Sequence, residues 1–242
     1  MRFIYFLFSF LTFANFCFAT PSPEIKKALS VSWMVVIESV SGSAVAVKQL
    51  ENGTLLLTND HVCQASRGLN PLTNQPRFNS KLNSRSLLIQ NLNERIPARV
   101  VYAANLHLLK APQKGSDLCL LFVGKKIPVT EFSSTELEPG DELIGVSAPG
   151  GFFPSISRGY LGTLVSSDNP TSQMESVLTT TVLANRGSSG SGIFNDRGEL
   201  AGIVFAIVLD DENHGPVTTL AVPLVYVRKF LNNYLETLKN KD

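Results

Sequence analysis

The chain has 242 residues, of which 44% are hydrophobic and 17% charged, and its formal net charge is +1. A chain of this length buries a substantial core, and ordinary apolar content at near-zero net charge excludes a disordered protein. No basic excess supports nucleic-acid binding, and three cysteines are too few for a disulfide scaffold or an all-cysteine zinc site.

In chain order, the N-terminus comes first. Arg2 precedes an apolar run over residues 3–13, which passes through Asn15 to the small Ala19. This is the pattern of a secretory signal peptide cleaved after Ala19, since a membrane span needs about 18 unbroken apolar residues and Thr12 and Asn15 interrupt. The mature chain is therefore expected to start at Thr20, secreted or periplasmic, with no membrane association after cleavage. It keeps two cysteines, Cys63 and Cys119, in a compartment that permits a disulfide. The short arm over residues 20–32 carries no assigned element, and a monomer is the default expectation.

From about Val35 the chain alternates short apolar runs with Gly, Pro, Asn and Asp. Runs at 43–47 and 54–58 flank Glu51-Asn52-Gly53 and read as a hairpin. Further strands are predicted at 86–89, 98–103, 118–123, 143–146, 159–165, 177–182, 192–195, 200–209 and 218–222. Strands at this density predict an all-β, antiparallel sandwich or barrel. After Pro223, apolar residues recur at Leu224, Val227, Leu231, Tyr234 and Leu238, a helical spacing with Pro at its start. Two segments are charge-biased: 64–86 is basic and 131–142 acidic, and both read as solvated loops, the second serving as a linker.

Among the three histidines, His107 lies in an apolar run and His214 in a turn-rich loop, and both read as structural. His61 directly follows a predicted strand in Thr58-Asn59-Asp60-His61-Val62-Cys63, where a rigid element aims it. Asn185-Arg186-Gly187-Ser188-Ser189-Gly190-Ser191-Gly192 sets serines among glycines between two strands. Such a turn projects a hydroxyl and converges backbone N–H groups on one spot, which acyl transfer requires. A serine needs a base and the base an orienting carboxylate, and Ser116-Asp117-Leu118 puts one acid at the mouth of an apolar strand. On local grounds Ser188, Ser189 and Ser191 all compete as nucleophile.

These motifs resemble the chymotrypsin-fold serine peptidases, and within them the HtrA/Deg-like branch, over residues 42–231. Gly42-Ser43 before an aliphatic strand and Thr58-Asn59-Asp60-His61-Val62 are similar to the histidine region, and Asp117-Leu118-Cys119-Leu120-Leu121 to the aspartate strand. Gly145-Val146-Ser147-Ala148-Pro149-Gly150 with Ser157-Arg158-Gly159 resembles the opening of the second barrel, and 185–190 the nucleophile loop. The resemblance implies two antiparallel six-stranded β-barrels with the active site between them and a C-terminal helix. It places a first barrel at about 35–128, a linker at 129–142, a second barrel at 143–222 and the helix at 223–239.

The resemblance also implies roles: Ser189 as nucleophile, His61 as base then acid, Asp117 as the orienting group, and the N–H groups of Gly187 and Ser189 as oxyanion hole. Leu183 falls at the floor of the primary pocket and Phe205, Ala206 and Ile207 along its wall, which implies cleavage after small or medium apolar residues. Cys63 and Cys119, each two residues past a triad position, are either a disulfide or two small buried hydrophobes. Ser188 stands where zymogen-activated relatives carry an acid, so no activation of that kind is expected, and no PDZ domain is expected after the helix. The implied activity is that of a serine endopeptidase acting on polypeptides with no metal or organic cofactor. The alternative is a catalytically silent binding protein on the same fold.

Overall fold

The computed structural model describes residues 20–38, 40–66, 87–104, 116–166, 176–209 and 216–240. Residues 1–19, where a signal peptide is expected, most of the basic stretch, His107 and His214 lie outside the described residues.

Twelve strands form two closed antiparallel barrels of six. The first contains β1 (Ser32–Ile37), β2 (Val40–Leu50), β3 (Gly53–Asn59), β4 (Leu87–Gln90), β5 (Arg95–Ala103) and β6 (Leu118–Val123). The second contains β7 (Glu142–Ser147), β8 (Ser155–Ser166), β9 (Ser176–Thr180), β10 (Gly192–Phe194), β11 (Leu200–Leu209) and β12 (Pro216–Pro223). Helix α1 (Pro23–Val31) precedes the first barrel, α2 (Asp60–Ser66) follows β3, and α3 (Leu224–Lys239) closes the described chain. The double barrel and the terminal helix are those expected from the sequence.

Period-two alternation explains why the central strands are apolar without a break. In β3, Leu56 points into the first barrel, where Trp33, Ile37 and Leu121 surround it, while Leu55 and Leu57 face the seam between barrels. β6 repeats the pattern, with Cys119, Leu121 and Val123 inward and Leu118 and Leu120 at the seam. Ile144, Val146, Phe194 and Ile203 meet them from the second barrel, whose own interior holds Leu143, Val182, Ile193 and Ala221. Both strands are thus buried on both faces.

Segments outside the strands also bind the halves. Helix α3 reaches back from the second barrel to stack Phe230 and Tyr234 on Tyr102 of β5, with centroids 5.1 and 5.5 Å apart. The arm at 20–32 is a helix whose Ala28 and Val31 are buried in the seam. Pro23 at its first position and apolar residues at Ile25, Ala28 and Leu29 account for it. The acidic stretch is not a free tether. The Thr130 N–H donates to the Ala46 C=O of β2 at 2.9 Å, and the Leu200 N–H of β11 donates to the Glu131 C=O at 2.7 Å.

Candidate active site

His61 sits in the first turn of α2, which begins where β3 ends, so a strand-to-helix junction fixes its direction. Asp117 precedes β6 with φ +50°, a left-handed conformation that Asp tolerates better than most residues. Two bonds hold that backbone: the Asp117 C=O accepts from the Asp60 N–H at 3.1 Å and from Asn59 Nδ2 at 2.9 Å. The carboxylate then faces His61 twice. Oδ1 accepts from the His61 backbone N–H at 3.1 Å, and Oδ2 lies 2.8 Å from the ring Nδ1.

A carboxylate can only accept, so Nδ1 carries the proton and Nε2 of the neutral ring keeps its lone pair. Burial pushes the His61 pKa down, but the Asp117 hydrogen bond and charge, helped by the charge of Asp60, outweigh it and hold the pKa above its ordinary value. His61 and Asp117 remain 31% and 29% exposed, so a polypeptide can reach the pair. Cys63 and Cys119 are joined by a disulfide with a Cα separation of 6.6 Å. It ties α2 to β6 two residues past His61 and Asp117, and both cysteines are fully buried.

The serine loop enters from the second barrel. Gly187 and Gly190 have φ of +96° and +86°. A Cβ on Gly187 would lie 2.3 Å from the Ala148 oxygen, and one on Gly190 would lie 2.1 Å from the Ser43 oxygen, so both positions require glycine. The three competing serines separate by burial. Ser188 and Ser191 are 1% and 2% exposed, whereas Ser189 is half-buried and accessible. Ser188 Oγ accepts the Asn185 N–H at 3.1 Å and so closes the local turn. The Ser189 C=O accepts from the Ser43 N–H of β2 at 2.8 Å. Gly42 abuts Val62 beside His61, and the loop thereby reaches the His61 side of the seam. Ser189 Oγ forms no hydrogen bond to the His61 ring among the described residues.

Two peptide planes of the loop are pinned. The Arg186 C=O accepts from the Gly150 N–H at 2.7 Å, and the Gly187 C=O accepts from Ser43 Oγ at 2.9 Å. In a planar trans peptide the N–H points opposite its C=O, so the Gly187 N–H points away from Gly150. Neither the Gly187 nor the Ser189 N–H has a partner among the described residues.

Of the residues expected to line the pocket, Leu183 is 63% exposed beyond β9. Phe205, Ala206 and Ile207 are half-buried along β11, whose register breaks between Val204 and Ala206. Phe205 packs toward the seam and Ile207 toward the second barrel's interior. Sequence reasoning gave Asn59, Asp60 and Ser43 no role, although all three stand inside motifs it quoted. Among the described residues no cluster of three or more His, Cys, Asp or Glu could hold a metal ion.

A double barrel with a His–Asp pair from one half and a glycine-flanked serine from the other defines the chymotrypsin-fold class. The chain belongs to the trypsin-like peptidase domain family, which matches residues 42–203. A probable periplasmic serine endoprotease, DegP-like, from Buchnera aphidicola subsp. Baizongia pistaciae is 30% identical over 104 residues, covering 43% of this chain and 22% of that protein. The solved HtrA-type protease AlgW with tripeptide superposes with a TM-score of 0.67 at 19% identity, covering 88% of this chain and 63% of its own. A serine endoprotease from Yersinia pestis gives 0.61 at 19% identity, covering 88% and 67%. The chain thus spans about a fifth of the DegP-like relative and under two thirds of AlgW.

Proposed function

We propose that this chain is an exported serine endopeptidase, secreted or periplasmic, that hydrolyses polypeptides through His61, Asp117 and Ser189. The Ser189 Oγ attacks the scissile carbonyl carbon as His61 Nε2 takes the hydroxyl proton. The oxyanion accepts from the Gly187 and Ser189 N–H groups, the C–N bond breaks, and His61 returns its proton to the leaving amine. A water then attacks the acyl-enzyme by the same route and releases the acid. Asp117 holds the tautomer and stabilises the imidazolium.

The observation that carries this reading is the His61 Nδ1–Asp117 Oδ2 bond at 2.8 Å, which leaves Nε2 free to act as a base. Family membership and the accessible, glycine-flanked Ser189 support it. Residues 1–19 act as the signal peptide, residues 20–242 form the peptidase domain, and the mature protein is a monomer. With Leu183 rather than an acid at the pocket floor, cleavage follows small or medium apolar residues.

Purified exported protein is tested on unfolded casein and on a peptide library, beside Ser189→Ala. Cleavage by the wild type alone, with small apolar residues before the cut and a mature N-terminus at Thr20, is expected. A folded wild type that cuts nothing, or cutting that persists in Ser189→Ala, contradicts the mechanism. A profile dominated by basic residues contradicts the specificity.

A further inference from the structure

Among the described residues, the Ser43 hydroxyl of the first barrel reaches both backbone segments that shape the serine loop. It lies in β2, 1% exposed. Its Oγ donates to the Gly187 C=O at 2.9 Å and accepts from the Ala148 N–H at 3.1 Å. Its backbone N–H donates to the Ser189 C=O at 2.8 Å, and its own C=O accepts from Thr58 Oγ1 at 2.7 Å.

The geometry points to Ser43 as a positioning residue that holds the Gly187 oxyanion donor in its working orientation across the barrel seam. This rests on the proposed peptidase reading and adds the group that sets its electrostatic site. The Gly187 N–H belongs to the Arg186–Gly187 peptide, and the next peptide, Gly187–Ser188, already has its N–H on the Asn185 C=O at 2.8 Å. Ser43 Oγ fixes that unit by its C=O, and the same oxygen, held by Ala148, fixes the distance between the loop and the turn over Pro149–Gly151. Gly150 of that turn in turn holds the Arg186 C=O. Both peptides flanking the Gly187 Cα are thereby anchored, one directly and one through Ala148. Ser43 touches no reacting atom itself; it acts through the direction of a donor, and a misdirected donor costs rate rather than substrate affinity.

Thr54 supplies a matched control. Its buried Oγ1 also donates to one backbone C=O, Lys125 at 2.9 Å, and accepts from one N–H, Ile127 at 3.1 Å, but at the far end of β3. The experiment measures kcat and KM on an internally quenched peptide, the rate of labelling by a fluorophosphonate probe, and the melting temperature. Wild type, Ser43→Ala, Ser43→Cys and Thr54→Val are compared. Cys fills the space of Ser with a weak hydrogen-bonding group and guards against collapse of the Ala variant.

We expect Ser43→Ala to lower kcat and labelling rate roughly 10- to 100-fold with KM within about two-fold, as for loss of alignment at a reacting centre. Ser43→Cys should fall between it and wild type, and Thr54→Val should lose melting temperature alone. Wild-type rates in either Ser43 variant, or equal rate losses in Ser43→Ala and Thr54→Val, would overturn the role. A folded wild type that does not label overturns the peptidase reading itself, and the role with it.

Discussion

The two barrels hold their halves of the candidate site by different means. The first barrel fixes His61 and Asp117 from within: backbone bonds from Asp60 and Asn59, a carboxylate that bonds both ring and backbone of His61, and the Cys63–Cys119 disulfide. The second barrel offers Ser189 on a glycine turn whose bonds to Ser43 come from the opposite barrel. The His–Asp half is held within its own barrel, whereas the serine loop adds to its own turn bonds, such as the Ser188 N–H to the Asn185 C=O, a set of bonds across the seam. Damage to the first half should therefore read out on the base, and damage to the seam on the oxyanion donors.

The largest expected break of that contrast is Asp117→Asn. The amide leaves the wrong tautomer available, and kcat should fall about 10⁴-fold, the scale such a change has in triads of this kind. The pH profile sharpens it. Because the His61 pKa is raised, chiefly by Asp117 acting against burial, the neutral base is lost as pH falls through a value above that of ordinary histidine. Stability contributed by protonated His61 runs the other way: it is present below the ordinary histidine value and fades as pH rises through the raised one. In Asp117→Asn burial is left with only the weaker pull of Asp60, so the acidic limb of kcat/KM should move to lower pH. A limb that stays put would show that Asp117 does not set the His61 pKa.

Next in size is the paired replacement of Cys63 and Cys119 by Ala. Closing a loop of 56-residue separation is worth about 4 kcal/mol in the chain-entropy account, and the loss should appear in denaturant unfolding. Unchanged stability would mean that the crosslink is dispensable to the first barrel. Gly187→Ala attacks the other half. Its Cβ would meet the Ala148 oxygen, the loop must shift, and kcat should fall about 10²- to 10³-fold, as for loss of one oxyanion donor. Smallest is Thr54→Val, a loss of about 2 kcal/mol for two buried bonds with no change in rate, read by thermal melting and kcat together.

Legibility in the sequence followed the same division. Every described strand but β1 was readable, because two-sided burial gives β3 and β6 apolar runs and because Glu51-Asn52-Gly53 marks its hairpin; β1 was not predicted. β6 and β11 were predicted at their observed limits. Helix α1 was missed, since nine residues with three charges, Glu24, Lys26 and Lys27, give little periodicity until Ala28 and Val31 find the seam. The linker read as a solvated loop because its acids are exposed; its backbone bonds to both barrels leave no trace in side-chain chemistry. The proposed triad positions carried local signals of strand mouth and glycine turn. Ser189 could be separated from Ser188 and Ser191 only by resemblance until burial divided them. Ser43 was invisible as a function, because its partners Gly187 and Ala148 lie 144 and 105 residues away.

The most direct test of the account is peptide mapping by mass spectrometry after reaction of the folded protein with a fluorophosphonate. The account predicts one adduct, on Ser189, formed as Oγ displaces fluoride, and its absence in His61→Ala. An adduct on Ser188 or Ser191, or labelling that survives in His61→Ala, would contradict it.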